Sequence, residues 1–354
     1  MIASVLAILI LLVLFIRSPW GQDIVVEKAT AYVSDKTDTE VSIDRLYITF
    51  SGNLFLEGLY IEDTKGDTLL YSRNLETGVE IIPLIKTGDI NVTKLEWEGL
   101  KADISRTEQS QNFNYNFLIE AFVSQEGEPS VDEVTPAETE AKPLSISLPE
   151  ISLKDFDIRY VDELLGIDAF LVVESLEVEV PVLDLDKSTY RISNFFLQNS
   201  QISYTQTKPF EPTEEDTVES VLPFLIIDNL QLSNVSATYT NTVDQQEAGL
   251  DIGEFILEAP EIDLQNQIVR LNTIQLHNSE ILFHDFGTEV SAVQSEKAES
   301  QPFEFPDWLV QVSNISLDKN SIEFKTADIE TKQGYFNQKQ FQSKIYDWKP
   351  GKFI

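Results

Sequence analysis

The chain has 354 residues, a formal net charge of −35, a hydrophobic fraction of 42% and no cysteine. A chain this acidic offers no basic surface to DNA or RNA and gains no electrostatic attraction to an anionic membrane surface, so we expect no nucleic-acid partner. The lack of cysteine excludes disulfides, thiolate nucleophiles and cysteine-ligated zinc.

The N-terminal residues predict a membrane anchor. Residues 1–16 carry no charge, and Arg17 and Trp20 follow closely. A spanning helix needs about 17–25 apolar residues, which the run reaches if Arg17 extends to the head groups and Trp20 lies at the membrane interface. We therefore predict a transmembrane anchor at 1–20 with Arg17 and Trp20 as interface residues. A cleaved signal peptide is the alternative, although no small-x-small cleavage site follows.

Residues 21–123 have the pattern of an N-terminal β module with short helices. A short amphipathic helix is predicted over 23–35, and NFNYNFLIEAFVS at 112–124 predicts a second helix. Between them, alternation of apolar and polar residues predicts strands. These runs cover 40–50, 53–63, 68–82 and 88–106, with a turn at 63–68.

Three acidic segments, 124–143, 206–220 and 288–304, are rich in Glu, Pro, Ser and Thr. We predict that they are unstructured, because they cannot bury enough apolar surface to offset the entropy lost on ordering. They divide the rest of the chain into modules. The predicted modules are an acidic linker at 124–147, a β repeat at 148–205, an acidic loop at 206–221, a second β repeat at 222–287, an acidic loop at 288–304 and a partial β repeat at 305–354.

One ten-residue pattern, (I/L/F)-x-L-x-x-x-x-(I/A)-x-(Y/F), recurs along the chain and is called the phrase below. Its copies are ISLKDFDIRY from Ile151, FFLQNSQISY from Phe195, LQLSNVSATY from Leu230, IQLHNSEILF from Ile274, ISLDKNSIEF from Ile315 and a looser LEWEGLKADI from Leu95. Spacing of about 40 residues is typical of repeat architectures. The polar centre of the phrase predicts either a tight hairpin or one strand with a bulge.

Nearly every run after residue 40 alternates with period 2, so one face of the predicted sheet is apolar. That face must be covered. Since helices are few, two solutions remain: the sheet closes on itself around a dry core, or it curls into an open groove that something else occupies. The pattern alone favours the closed form, because most alternating β chains are simply packed.

Eighteen apolar residues of the phrases are the predicted lining of this face, whether it is a groove or a core. These residues are Leu95, Trp97, Ile151, Leu153, Ile158, Tyr160, Leu197, Ile202, Tyr204, Leu230, Leu232, Tyr239, Leu276, Ile281, Phe283, Leu317, Ile322 and Phe324.

Candidate sites for chemistry are weak. His277 and His284 are seven residues apart, which in an unbroken strand places them on opposite faces, so we expect no metal site. Asp63 with Asp67, and Asp184 with Asp186, are better explained as turn residues than as calcium ligands. The sequence lacks P-loop, GxSxG and HExxH motifs, so we expect neither an enzyme nor a cofactor.

Two stretches carry a resemblance to a known family. LEGLYIEDTKGDTLLY at 56–71 and FNYNFLIEAF at 113–122 resemble the N-terminal region of TamB-like proteins of the AsmA-like superfamily, inner-membrane components of the translocation and assembly module. The resemblance implies a single-pass protein of the Gram-negative inner membrane with most of its chain in the periplasm. It also implies an all-β, repeat-built, taco-shaped groove that carries phospholipid in outer-membrane biogenesis.

The same resemblance implies a partner, an Omp85-class outer-membrane barrel, in assembling or secreting outer-membrane proteins. The family's C-terminal domain, which engages that barrel, has no counterpart here, so we expect an N-terminal portion of a longer protein. Two alternatives remain open. One is a structural or adhesive β-repeat spacer with a closed dry core, and the other is a scaffold that receives unfolded proteins by strand addition.

Overall fold

The computed structural model describes residues 19–49, 51–79, 92–122, 150–184, 187–210, 222–286, 308–326 and 340–345. The described residues are mostly β, with two helices, which confirms the predicted fold class at that level. Most of the predicted anchor, including Arg17, lies outside the described residues, as do nearly all of the three acidic segments. Among the described residues, neither helix has the length and hydropathy of a membrane-spanning segment.

The chain divides into two compact units. The first comprises Met1–Ile104 and Ser110–Leu148, and the second comprises Ser105–Gln109 and Pro149–Ile354.

The first unit is an antiparallel meander with two helices. Its elements are α1 (Pro19–Thr37), β1 (Val41–Ser42), β2 (Arg45–Ile48), β3 (Leu54–Glu62), β4 (Thr68–Val79), β5 (Val92–Arg106, whose last two residues belong to the second unit) and α2 (Asn116–Phe122). β2, β3, β4 and β5 pair in order, and β1 extends the edge of β3. The turn after β3 is closed by Asp63, whose Oδ1 accepts from the amides of Lys65 and Asp67.

The second unit contains twelve described strands. They are β6 (Glu150–Asp162), β7 (Ile167–Glu179), β8 (Val182–Asp184), β9 (Thr189–Ile192), β10 (Asn194–Gln206), β11 (Phe224–Asn241), β12 (Gln246–Asp263), β13 (Ile268–His277), β14 (Glu280–Asp285), β15 (Leu309–Asp318), β16 (Asn320–Lys325) and β17 (Gln340–Ile345).

These strands form a ladder in nearly sequential order. Four pairs of consecutive strands are successive parts of one longer strand, because their pairings continue along the same neighbouring strand or its continuation. These pairs are β7 with β8, β9 with β10, β13 with β14, and β15 with β16. All neighbours are antiparallel except at two joints, β9–β10 with β11 and β13–β14 with β15–β16, which are parallel. Parallel neighbours need a crossover connection, and the acidic segments after β10 and β14 occur at these two joints.

Five copies of the phrase occupy strands that all run in one direction. They lie in β6, β10, β11, β13–β14 and β15–β16, whereas β7 and β12 run the opposite way between them. The phrase therefore marks every described strand of one direction from β6 to β16, and the regular spacing of the copies follows from this topology.

The fifth residue of each copy has a left-handed backbone. These residues, called the kink row, are Asp155, Asn199, Asn234, Asn278 and Lys319, with φ between 47° and 54°, and the looser copy has Gly99 with φ 72°. The register continues unchanged across the kink, since Gln198 pairs with Ser233 and Ser200 with Val235. The phrase is thus a single kinked strand, neither a hairpin nor a bulge with an extra residue on one strand.

The kink explains why the apolar residues of the phrase do not keep a strict alternation. Apolar residues stand at positions one and three and then at eight and ten, which unbroken alternation would place on opposite faces. A left-handed residue bends a strand and interrupts its alternation, so both pairs can share one face. The kink-row residues are exposed, whereas the residue that follows each of them is buried. The buried residues are Phe156, Ser200, Val235, Ser279 and Asn320.

Side chains satisfy backbone groups that the kink displaces. The hydroxyls of Ser200 and Ser279 each donate, at 2.9 Å, to the carbonyl two residues earlier. Asn320 accepts from the Ser279 amide at 3.1 Å and donates to the Leu276 carbonyl at 2.6 Å. Buried polar residues at the kink are therefore hydrogen-bonded, as a buried position requires.

Candidate functional site

The second unit carries mostly large apolar residues, with three alanines, in four ladder rows that each cross seven strands from β6 to β16; together they are called the apolar face. Row one is Ile151, Val178, Phe195, Leu230, Leu257, Ile274 and Ile315, and row two is Leu153, Leu176, Leu197, Leu232, Phe255, Leu276 and Leu317. Row three is Ile158, Leu171, Ile202, Ala237, Leu250, Ile281 and Ile322, and row four is Tyr160, Ala169, Tyr204, Tyr239, Ala248, Phe283 and Phe324.

All predicted lining residues from Ile151 onward fall in these rows, directly opposite one another. The predicted lining did not contain the members on β7 and β12, nor Phe195, Ala237, Ile274 and Ile315 on the phrase strands. These four stand at positions one or eight of their copies, where the phrase itself could have identified them. β7 and β12 lack the phrase, although both alternate and have an odd step, from Val173 to Leu176 and from Ile252 to Phe255.

The residues of the apolar face are only partly covered. The predicted lining residues are half-buried, and Ile202 is 40% exposed. Fully packed cores bury aliphatic side chains almost completely. Here nearly complete burial is found instead at the row that follows the kink, for example at Phe156, Val173 and Val235. No helix is present in the part of this unit that the structure describes.

Row four is aromatic on five of its seven strands. The rings of Tyr204 and Tyr239 stack with centroids 5.7 Å apart, and those of Phe283 and Phe324 stack at 5.5 Å. Such pairs add about 0.5–1.5 kcal/mol beyond area burial. Burial, and then the neighbouring Tyr239, raise the pKa of the Tyr204 hydroxyl, which therefore stays a neutral donor at physiological pH.

Buried polar residues end the strands just beyond row four. Asp162, Gln206 and Asn241, called the polar caps, close β6, β10 and β11. Asn241 Oδ1 accepts from the amides of Val243 and Asp244 at 3.0 Å. The caps hold the turns and leave a hydrogen-bonded border beside the aromatic row.

Asp162 is the fully buried carboxylate of this border. Arg106 pairs with both of its oxygens, one of them through Nε at 3.0 Å. Burial raises the pKa of Asp162, but the hydrogen bond and charge of Arg106, with the amides of Leu165 and Leu164, outweigh it, so the pKa lies below its usual range. Asp162 thus stays ionised and stabilises the fold.

The first unit has its own half-buried apolar positions. Leu95 and Trp97 lie on β5 opposite Thr77 and Leu75 of β4. The Trp97 indole donates to the Ser72 hydroxyl at 2.7 Å, and Ser72 is fully buried. Trp97 is therefore fixed by a hydrogen bond as well as by packing. Trp20, the predicted interface residue, is 67% exposed near the start of α1.

The rejected metal candidates have ordinary partners. His277 lies 3.0 Å from Glu254 and from Ser316, and His284 lies 3.0 Å from Glu323. The left-handed Asn278 stands between the two histidines, so the unbroken alternation assumed from the sequence does not apply to them. Within the described ranges, no group of three potential ligands is positioned to hold a metal ion.

The two carboxylate pairs behave as turn residues where they are described. Asp184 accepts from the Lys187 amide at 2.9 Å, whereas Asp186 lies outside the described residues. Asp63 caps the turn after β3.

No protein-family model matches this chain, and no curated protein matches it in sequence.

Proposed function

We propose that this protein is a lipid carrier of the AsmA-like type, anchored in the inner membrane, whose apolar face holds phospholipid acyl chains in the periplasm. The observation that carries the proposal is the set of four apolar rows, which run across seven strands and are only partly buried. A contiguous apolar surface that stays partly accessible is typical of an interaction site.

Acyl chains suit this face because rows one to three offer only hydrocarbon side chains. A protein partner would be expected to find arginine anchors and hydrogen-bonding groups as well, and these three rows contain neither. Each methylene moved from water onto such a surface contributes about 0.8 kcal/mol. A lipid chain thus gains affinity from contact area alone, whereas its head group stays in water at the edge of the face.

Movement along the face requires no chemistry. In rows one and two every strand presents Val, Leu, Ile or Phe, as in the Leu197, Leu232, Leu276 and Leu317 positions of row two. A lipid shifting from one strand to the next exchanges one set of contacts for an equivalent set, so the barrier between positions is small. The energy that drives net transport must come from outside this chain.

Site-specific photo-crosslinking tests the proposal. A photoreactive amino acid at Leu250, in row three, should form phospholipid adducts when the full chain is expressed in a Gram-negative host and analysed by mass spectrometry. The matched control is Asp251, the next residue of β12, which is exposed. If neither position forms adducts, the proposal is overturned and the closed β-repeat spacer is favoured. Equal adducts at both positions would show that lipid adsorbs non-specifically and does not bind the apolar face.

The resemblance also supports a role beside an Omp85-class barrel in assembling or secreting outer-membrane proteins. No described residue adds to that part of the proposal. Co-purification of an Omp85-class barrel with this protein from a Gram-negative host would test it separately from lipid binding.

A further inference from the structure

We propose that the acyl chain lies in a trough that crosses the strands between rows two and three of the apolar face, and that it does not run along the strands. The inference rests on the proposed function and adds to it the place and direction in which the chain is held.

The kinks stand at one level of the ladder. The parallel joint of β10 with β11 pairs Gln198 with Ser233 before the kink and Ser200 with Val235 after it. The register steps over the same level between β6 and β7 and between β11 and β12. Since a left-handed residue bends its strand, kinks aligned in this way bend the sheet of the second unit along one line that crosses the strands.

Burial identifies the inside of this bend. The kink row is exposed, and the five residues that follow it are buried. Val173 on β7 and Ile252 on β12, which pair at the same level, are 5% and 4% exposed. These buried residues are together called the crease row. A side chain inside a bend is covered by neighbours from both sides, whereas one on the outside is not, so the crease row is inside and the kink row is outside.

The crease row lies on the same side of the sheet as the apolar face. Val235 stands two residues before Ala237 of row three, and alternate residues of a strand share a face. Row two lies on the other side of the kink, so rows two and three are the walls of a trough whose floor is the crease row. Ile202 of row three is 40% exposed, whereas Val235 is 4% exposed. The walls are therefore accessible, and the floor is already covered by protein side chains.

A shallow apolar trough fits a single hydrocarbon chain laid along it. Ligand sites are usually concave and mostly apolar. A chain lying in the trough touches both walls over its whole length, whereas a straight chain laid along a strand has to bridge the bend. Because the free energy of transfer grows with the apolar area removed from water, the chain in the trough is favoured.

The length of the trough suits an acyl chain. The apolar rows cross seven strands, which are six spacings of about 4.8 Å, or roughly 29 Å in all. The hydrocarbon of one lipid leaflet is about 15 Å thick. An extended acyl chain therefore reaches across about four strands, and it can advance along the trough without leaving the walls.

Photoreactive phospholipids test the direction of the chain. One probe carries a diazirine beside the acyl carbonyl and the other carries it at the terminal methyl, and each is loaded onto the purified full chain before the labelled residues are mapped. We expect both probes to label rows two and three on several strands. If one probe labels row one and the other labels row four, or if all four rows are labelled equally, the trough is refuted while lipid carriage stands. Absence of label from every row would overturn the proposed function itself.

Two alanines provide matched variants. Ala237 of row three pairs with Leu250, and Ala248 of row four pairs with Tyr239; both alanines are half-buried. Ala237→Phe adds a ring to the wall of the trough and should lower co-purifying phospholipid about tenfold, which corresponds to about 1.4 kcal/mol or roughly two methylenes of lost contact. Ala248→Phe adds the same ring outside the trough and should leave the lipid content near that of the parent.

Circular dichroism must show that both variants remain folded. Equal loss of lipid in the two folded variants, or no loss in folded Ala237→Phe, would contradict a chain held between rows two and three. If Ala237→Phe does not fold, the map of the two probes decides the direction of the chain by itself.

Discussion

Asn199 and Asn234 stand side by side in neighbouring parallel strands, and Asn234 Nδ2 donates to Asn199 Oδ1 at 3.0 Å. Both have left-handed backbones, with φ of 47° and 54°. Asparagine tolerates this conformation better than most residues with a Cβ, because its short side chain bonds locally. The backbone of the kink, more than the exposed side-chain contact, thus restricts which residues fit these positions.

The kink makes a first prediction at Asn234. Asn234→Val places a β-branched residue in the left-handed region and should lower the free energy of unfolding by about 1–2 kcal/mol. Asn234→Gly removes the same side-chain hydrogen bond but accepts the backbone, so it should lie within about 0.5 kcal/mol of the parent. Urea denaturation of the three proteins measures the difference. Equal losses in both variants would show that the hydrogen bond, and not the backbone, governs this position.

A second prediction contrasts two glycines of β12. A Cβ at Gly253 would lie 2.6 Å from the Asn278 carbonyl oxygen and 2.9 Å from the Asn278 Cβ, both in the kink of the next strand. Gly253→Ala should therefore cost about 1–3 kcal/mol of stability, since backbone must move.

Gly249 supplies the control for that experiment. Its added Cβ would meet Leu282 at 3.5 Å, an ordinary contact. Gly249→Ala should be neutral or stabilise by up to about 0.5–1 kcal/mol, because alanine loses less entropy on folding. Equal melting temperatures of the Gly253→Ala and Gly249→Ala variants would contradict the close packing of strands at the kink.

The apolar rows could be predicted from the sequence because they depend on fixed positions within one phrase. Leu197 and Leu232 share position three of their copies, and parallel neighbours in register bring equal positions together. Residues at the same position of two neighbouring copies therefore lie side by side in the sheet.

The kink could not be predicted in the same way. Position five is Asn in three copies but Asp155 and Lys319 in two others, so no single residue type marks the left-handed backbone. The odd step between apolar pairs was the usable signal, since it conflicts with an unbroken strand. The row members on β7 and β12 could not be found from the phrase, because these strands run in the opposite direction and do not contain it.

The third prediction concerns pH and Asp162. The pKa of Asp162 in the folded protein lies below the value of about 3.9 that it has in the unfolded chain. Between these two pKa values the unfolded chain binds more protons than the folded protein does, so stability rises with pH. The contribution of the Arg106 pair is complete above about pH 4 and disappears as pH falls through the folded pKa.

Asp162→Asn isolates this pair, because the amide oxygen can still accept from Leu164 and Leu165. Removing one partner of a buried pair costs about 3–5 kcal/mol, and we expect about 2–3 here because Arg106 is partly exposed. The difference in unfolding free energy between the parent and Asp162→Asn should stay constant from pH 7 to about pH 4. It should become smaller as the pH falls further to 3. A difference in unfolding free energy that does not change with pH would mean that the charge of Asp162 is not the cause of the difference.

The last prediction tests whether lipid binding depends on the lining itself. Leu232→Glu in row two, or Ile281→Arg in row three, places a charge where acyl chains are proposed to lie. Burying an unpaired charge against hydrocarbon is strongly unfavourable, so phospholipid that co-purifies with the chain should fall at least tenfold by mass spectrometry. Ser233→Glu, the next residue of β11, adds the same charge as Leu232→Glu to the same strand but outside the rows. It should retain lipid, and circular dichroism must show that all three variants remain folded. Folded row variants with parental lipid content would refute the proposal that the rows hold the lipid.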